Sequence, residues 1–361
     1  MSRRVGITGV GTVNALFTGG VPALEAWLAA PRVQMAPSAA GAASIAPETL
    51  SGLIDGAEAR RLSLVCQLAV AAGRLAVADA GLETGDDVGL ILGTEFGDLR
   101  STMEFADGYL DAGPSGLSAL LFPNTVMNTM AAATTIAVSA RALSLTLNAH
   151  TVAGELAVAH AASAVAAGRV RVMLAGGVDQ ADAYRGRALH ALGAPRQRWG
   201  DGATFLVLEA LDSATARGAR ILGEVRGAAW RTLPARPHGV GRSTASRAIA
   251  VALAAAGSEA ASLRWAYTSA SGDGARDGWE RGLLETALAP YRPPAAALRL
   301  LLGQHAGAGA LTVAAAAWTA RTGLLPVTVD EAASPRRIAP GPGLVHAVAR
   351  GGDNVALVVG A

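Results

Sequence analysis

A chain of 361 residues, half of them hydrophobic and only 16% charged, can bury a large core or two similar halves packed together. Its formal charge of +2 is near neutral and no basic stripe stands out, which leaves nucleic-acid binding without support. Lysine is absent, which excludes Schiff-base and PLP chemistry on this chain, and a single cysteine, Cys66, rules out an internal disulfide framework and cysteine-based metal sites.

In chain order, the apolar part of MSRRVGITGVG is too short and glycine-rich for a signal peptide, and no apolar window is long enough to span a membrane. A soluble cytoplasmic protein is the expectation. Residues 4–9 read as the first strand. Glycines 6, 9 and 11 of GITGVGTV loosely match a dinucleotide loop. No helix follows directly and no second strand ends in an acid at the required distance, so a tight turn is expected and no cofactor. Residues 59–80 read as a helix with Cys66 as a small core residue, since Leu62, Ala69 and Val70 around it form no electropositive cluster. A strand is expected at 88–92. A helix at 101–111 would carry Thr102, Phe105, Ala106 and Tyr109 on one face, either packed in the core or walling an apolar cavity. Another helix is expected at 124–140.

Residues 143–179 read as strand (143–147), corner, buried helix (151–167) and strand (170–175). Such corners often carry a nucleophile, and here the corner is Asn148-Ala149-His150-Thr151. A helix start contributes only about 0.3–1 kcal/mol to ionising a group. The Thr151 hydroxyl therefore needs a general base, and His150, one residue away, diverges from it. Capping the helix is the simpler role for Thr151. Glu155 and His160 are five apart, which misses the four-residue spacing of a metal pair, so each is expected to satisfy a local polar group and no metal is expected. Further strands are expected at 205–209, 221–227, 265–269, 298–302, 345–350 and 355–359, and helices at 243–256, 276–289 and 307–321. The alternation argues for α/β layers. The helices TVAGELAVAHAASAVAAG and GAGALTVAAAAWTA are apolar nearly all round, hence buried on every side, and each is expected to follow a strand through a short corner. That layout suggests two similar halves joined by 211–220, with loops at 289–297 and 334–343. His305 sits at the second corner, where a structural and a functional role both remain open.

Taken together, RRVGITGVGTV, VRVMLAGGVD, DGATFLVLEALDSATARGARILGEVRG and ARGGDNVALVV resemble, in order, four segments of the β-ketoacyl synthases. The resemblance implies a thiolase-like α/β fold, with two pseudo-duplicated halves (1–215 and 216–361) in a five-layer αβαβα arrangement. The departures carry the functional expectation. The family's active-site cysteine falls on Thr151, its first histidine on Ser269 and its second on Gln304, one residue from His305. The lysine of that motif falls on Arg299, the gating phenylalanine falls on Arg350, and the usual PFDxxRDGF run is missing. Condensation needs a thiolate to carry the acyl chain and two imidazoles to stabilise the enolate and oxyanion; arginine is no plain substitute for lysine.

An intact frame with this site lost resembles the chain length factor (KSβ) of type II polyketide synthases. That resemblance implies a catalytically inactive subunit. It would pair with a catalytic ketosynthase (KSα), meet acyl carrier protein through the complex and end the polyketide tunnel at the interface, with neither nucleic acid nor membrane as partner. Thr102, Phe105, Ala106 and Tyr109 then become tunnel-wall candidates, with Met127 and Met130 near them. The product is expected to be a type II polyketide, with a polyene-type chain as one option. The competing expectations are an atypical acyltransferase or condensing enzyme using Thr151 with His150 or His305, and a stand-alone acyl-binding protein.

Overall fold

The apolar runs become two sets of five strands. The first set is β1 (Val5–Asn14), β2 (Val88–Thr94), β3 (Ser144–Asn148), β4 (Val172–Asp179) and β5 (Gly202–Ala210). The second is β6 (Gly223–Thr232), β7 (Trp265–Tyr267), β8 (Ala295–Ala296), β9 (Gly343–Val348) and β10 (Asp353–Gly360). This computed structural model describes residues 3–30, 44–194, 197–328 and 334–361. Across the sheet the order is β3-β2-β4-β5-β1-β6-β10-β9-β7-β8, with the short strand Thr18–Gly19 beside β1. Counted within its own set, each half therefore runs 3-2-4-5-1, and the halves meet where β1 pairs with β6. The pairing sense repeats too: second with third and second with fourth are parallel, fourth with fifth and fifth with first antiparallel.

The main helices are α1 (Val21–Ala29), α2 (Leu64–Asp79), α3 (Leu99–Ala112), α4 (Thr129–Ala137), α5 (Ala153–Ala166), α6 (Ala183–Ala191), α7 (Arg247–Ala255), α8 (Gly274–Leu288) and α9 (Ala306–Thr322). Helices α5 and α9 pack on each other and on strands of both sets, α2 and α4 cover the outer side of the first set, and α7 and α8 cover that of the second. The result is the five-layer α/β/α/β/α stack. Its central layer can be thin because the two buried helices are built from alanine and glycine. A Cβ placed on Gly154 of α5 would lie 2.0 Å from the Ala306 carbonyl oxygen of α9.

Three local expectations are corrected. Glycines 9 and 11 make no turn, and β1 runs through them to Asn14. What they supply is room for α2 to lie on the strand backbone: a Cβ on Gly11 would sit 2.2 Å from both the Ala72 carbonyl and the Ala76 nitrogen. Residues 298–302 are not a strand; Arg299–Leu302 is a helical turn with Leu301 and Leu302 buried. A short apolar run cannot be assigned by periodicity alone. Helices also form at α1, α6 and Leu211–Ala216, where none was expected. Cys66 is buried in the core as expected, and burial pushes its thiol up to about 11. No helix among the described residues is long and apolar enough to cross a membrane.

Candidate functional site at the paired helix corners

The duplicated topology brings two equivalent corners together. Thr151 and Gln304 each lie two residues before a central helix, α5 and α9. Each is preceded by a residue of positive φ, His150 at 38° and Gly303 at 81°. Gln304 Nε2 donates to the Thr151 carbonyl at 3.2 Å and lies 3.5 Å from Glu95 Oε2. The Thr151 hydroxyl is buried and has no hydrogen-bond partner among the described residues.

Asp179, at the end of β4, ties the corner before α9 to the residues at the end of β2. Its carboxylate accepts from Thr94 Oγ1 (2.7 Å), the Glu95 amide (2.9 Å), the Phe96 amide (3.2 Å) and the first amide of α9, Ala306 (2.8 Å). Burial pushes the Asp179 carboxyl up, and these bonds oppose the shift. Glu95 lacks such a set of donors. Burial, then the charge of Asp179, pushes its carboxyl up to about 8 against the pull of Arg185, Arg299 and Arg276. At neutral pH Glu95 is therefore mainly a carboxylic acid. Neither Glu95 nor Arg185 drew attention in the sequence. The available signal was an acid at the carboxyl end of a parallel strand, where α/β folds place their sites.

The histidines are engaged elsewhere. His305 caps α9: its Nδ1 accepts from the Ala308 amide at 3.1 Å. Burial, reinforced by Arg299 and Arg185, pushes its imidazole down to about 3, so the ring stays neutral. His150 is exposed and meets His238 edge to face, ring centres 5.9 Å apart. His160 stacks on Trp230 at 4.0 Å. Ser269, the other position matched to a histidine, lies in a closed network. Its amide and hydroxyl both donate to Glu280, at 3.1 and 2.9 Å, and Val348 N donates to its oxygen at 3.2 Å. Glu280 also meets His346 Nδ1 at 3.1 Å, and Asn354 Nδ2 lies 2.8 Å from His346 Nε2. If Asn354 donates, His346 carries its proton on Nδ1 and gives it to Glu280. Serine, carboxylate and histidine thus occur in the wrong order for a nucleophile: the carboxylate stands between the other two. His346 was not singled out in the sequence.

Arg299 pairs with Glu155 at 2.5 Å, both wholly buried, so Glu155 serves a cation from the other half of the chain. Arg350 is held by both oxygens of Asp273, at 2.5 and 2.7 Å.

The face of α3 is not core. Among its residues only Ser101 is buried. Thr102 is exposed, Phe105 and Ala106 are half-buried, and Tyr109 is 51% exposed. Phe105 touches Phe122, ring centres 6.0 Å apart. Met127 is 40% exposed, whereas Met130, on α4, is wholly buried in the core. Leu120, Phe122 and Val126 in the segment after α3, Ile136 of α4 and Leu145 of β3 are also exposed, and a groove of about 490 Å³ runs between α4 and the edge strand β3.

Comparisons with known proteins agree with this architecture. The profile of the β-ketoacyl synthase N-terminal domain matches residues 4–213. The 3-oxoacyl-[acyl-carrier-protein] synthase 2 of Synechocystis sp. is 32% identical over 231 residues, 55% of this chain and 54% of that one. The matched region spans about half the length of the synthases of this type from Synechocystis and Vibrio cholerae. A protein named for polyketide β-ketoacyl synthase 1 of Streptomyces virginiae is 29% identical over 91% of this chain and 88% of its own. Among solved structures, the ishigamide ketosynthase/chain length factor superposes with a TM-score of 0.83 at 25% identity, covering 100% of this chain and 99% of that one. A β-ketoacyl synthase from Burkholderia phymatum shares the fold with a TM-score of 0.81 at 21% identity, over 99% of each chain. With more than half of its length matched by the family profile and the duplicated 3-2-4-5-1 sheet in place, the chain belongs to the β-ketoacyl synthase family.

Proposed function

We propose that this chain is a non-catalytic ketosynthase-like subunit, a chain length factor that pairs with a catalytic ketosynthase and walls the tunnel for a growing polyketide. The observation that carries this reading is the corner itself. The residue that the family resemblance matches to the nucleophile is a threonine, and its hydroxyl has no hydrogen-bond partner among the described residues. Activation needs a base within hydrogen-bond reach, and the nearby rings of His150 and His305 face His238 and Ala308 instead. The exposed apolar face of α3, α4 and β3 supports the pairing, because a patch of that kind marks an interaction surface. The likeness to the ishigamide ketosynthase/chain length factor supports the same partner class, and acyl carrier protein would be met through the complex.

Incubating the purified chain with an acyl-carrier thioester and weighing it after denaturation tests this reading. The expected result is no adduct, together with co-purification of a ketosynthase whose product is unaltered by Thr151→Ala. An adduct that Thr151→Ala abolishes would establish an acyltransferase instead.

A further inference from the structure

Arg185 of α6 is 3% exposed, a rare state for an arginine. Buried arginines usually find a carboxylate in a two-pronged geometry; this one donates to the Gln180 carbonyl at 3.0 Å. Its guanidinium lies over two aromatic rings, 5.2 Å from the centre of Phe96 and 4.7 Å from that of Trp199. The two rings touch edge to face at 5.7 Å. Asp179, Asp201 and Asp182 act on it electrostatically. Aromatic faces and acidic groups together make a receptor for a flat cation.

Both walls of this box are linked to the corner before α9, Phe96 through Asp179, which also accepts from Ala306, and Trp199 through Gln304. Phe96 hangs from Asp179 by its amide, at 3.2 Å. Trp199 bridges to Gln304, whose amide donates to the Arg198 carbonyl at 2.7 Å and whose carbonyl accepts from Gly200 at 3.3 Å. We infer that Arg185 is a built-in plug, its guanidinium filling a cation box between Phe96 and Trp199 and closing the corner of Thr151 and Gln304 to outside molecules. The inference deepens the non-catalytic reading and rests on it for its purpose, since a sealed corner serves a subunit whose own site does no chemistry. The geometry of the box stands without that reading.

Hydrogen–deuterium exchange on the full chain, with or without a bound ketosynthase, tests the plug. Arg185→Ala is expected to speed amide exchange at residues 149–153 and 303–308 by roughly tenfold or more. Methylguanidinium at millimolar concentration should restore slow exchange by refilling the box, and sodium chloride at the same concentration should not. Arg185→Lys, which keeps a charge and loses the flat face, should fall between. A folded Arg185→Ala chain with unchanged exchange at both corners, or one that methylguanidinium does not restore, overturns the plug. Should Arg185→Ala prove insoluble, Trp199→Leu removes one wall and keeps every charge: faster exchange at the corners supports the plug, and unchanged exchange overturns it. Neither readout requires a partner, so loss of the ketosynthase complex bears on the functional reading alone.

Discussion

Arg299 and Glu155 meet at 2.5 Å in the central layer, each contributed by a different half of the chain and each wholly buried. Gly309 of α9 leaves the space for them: a Cβ there would fall 2.2 Å from Glu155 Oε2. Removing one partner strands a charge away from water, which costs about 3–5 kcal/mol, whereas replacing both with apolar side chains of similar volume is often neutral or better. Arg299→Met alone should therefore lower the denaturation midpoint sharply, and Glu155→Leu with Arg299→Met should recover most of the loss. Urea titration of the two variants checks this; equal destabilisation by both would show that the pair is not the source.

Glu95 gives the protein a pH-dependent term. Its carboxyl is pushed up to about 8 in the folded chain, mainly by burial, from an ordinary value of 4.5. Between those values the folded state holds one more proton than the unfolded state, so stability falls as pH rises through the window and levels off above about 8. Glu95→Gln has no proton to lose. The variant's advantage over the natural chain should grow from near zero at about pH 5 to on the order of 2 kcal/mol above pH 8, the residue's partial exposure trimming the full electrostatic figure. Denaturation midpoints at a series of pH values measure it, and a difference that stays flat across the series would contradict the assignment.

Those two sites show what a sequence carries. The apolar strand runs and the two all-round apolar helices were legible because burial on every side leaves no polar stripe, and α5 and α9 lie where those runs lie. The glycines of β1 were misread because a glycine that yields to a neighbouring helix looks the same in sequence as a glycine that turns the chain. The run 298–302 differs from the expectation because a leucine-rich run of five residues, four of them buried, suits either a strand or one helical turn. Thr151, Gln304, Ser269 and Arg299 draw attention through motif matching alone. Glu95, Arg185 and His346 do not, since each draws its meaning from partners far along the chain: Gln304 for Glu95, Phe96 for Arg185 and Glu280 for His346.

The exposed edge strand β3 and its apolar neighbours make a direct prediction about pairing. Leu145 is 38% exposed on that edge. Leu145→Asp should leave the stability of the lone chain within about 0.5 kcal/mol, as surface substitutions generally do. A charge buried in an interface should weaken the complex by about 2 kcal/mol or more, roughly thirtyfold, enough to lose a co-purified ketosynthase. Val251→Asp, at 36% exposure on α7 in the opposite outer layer, is the control and should pair normally. Native mass measurement of both co-expressed pairs decides the matter, and equal recovery would move the interface elsewhere.

The wall assignment is tested by size. Ala106 and Tyr109 lie on the face of α3 that the chain's own core leaves open, with Phe105 braced against Phe122 beside them. A tunnel ending on this face has a length set by how far its side chains project, because a growing polyketide cannot enter volume already occupied. Ala106→Trp fills the space and should yield a product with fewer extension units. Tyr109→Ala empties it and should yield a product of equal or greater length. Neither change touches the buried corner, so turnover by the partner should persist while its endpoint shifts. Mass spectrometry of products made with the partner ketosynthase reads both variants together. Unchanged lengths in both would place the end of the tunnel on another element.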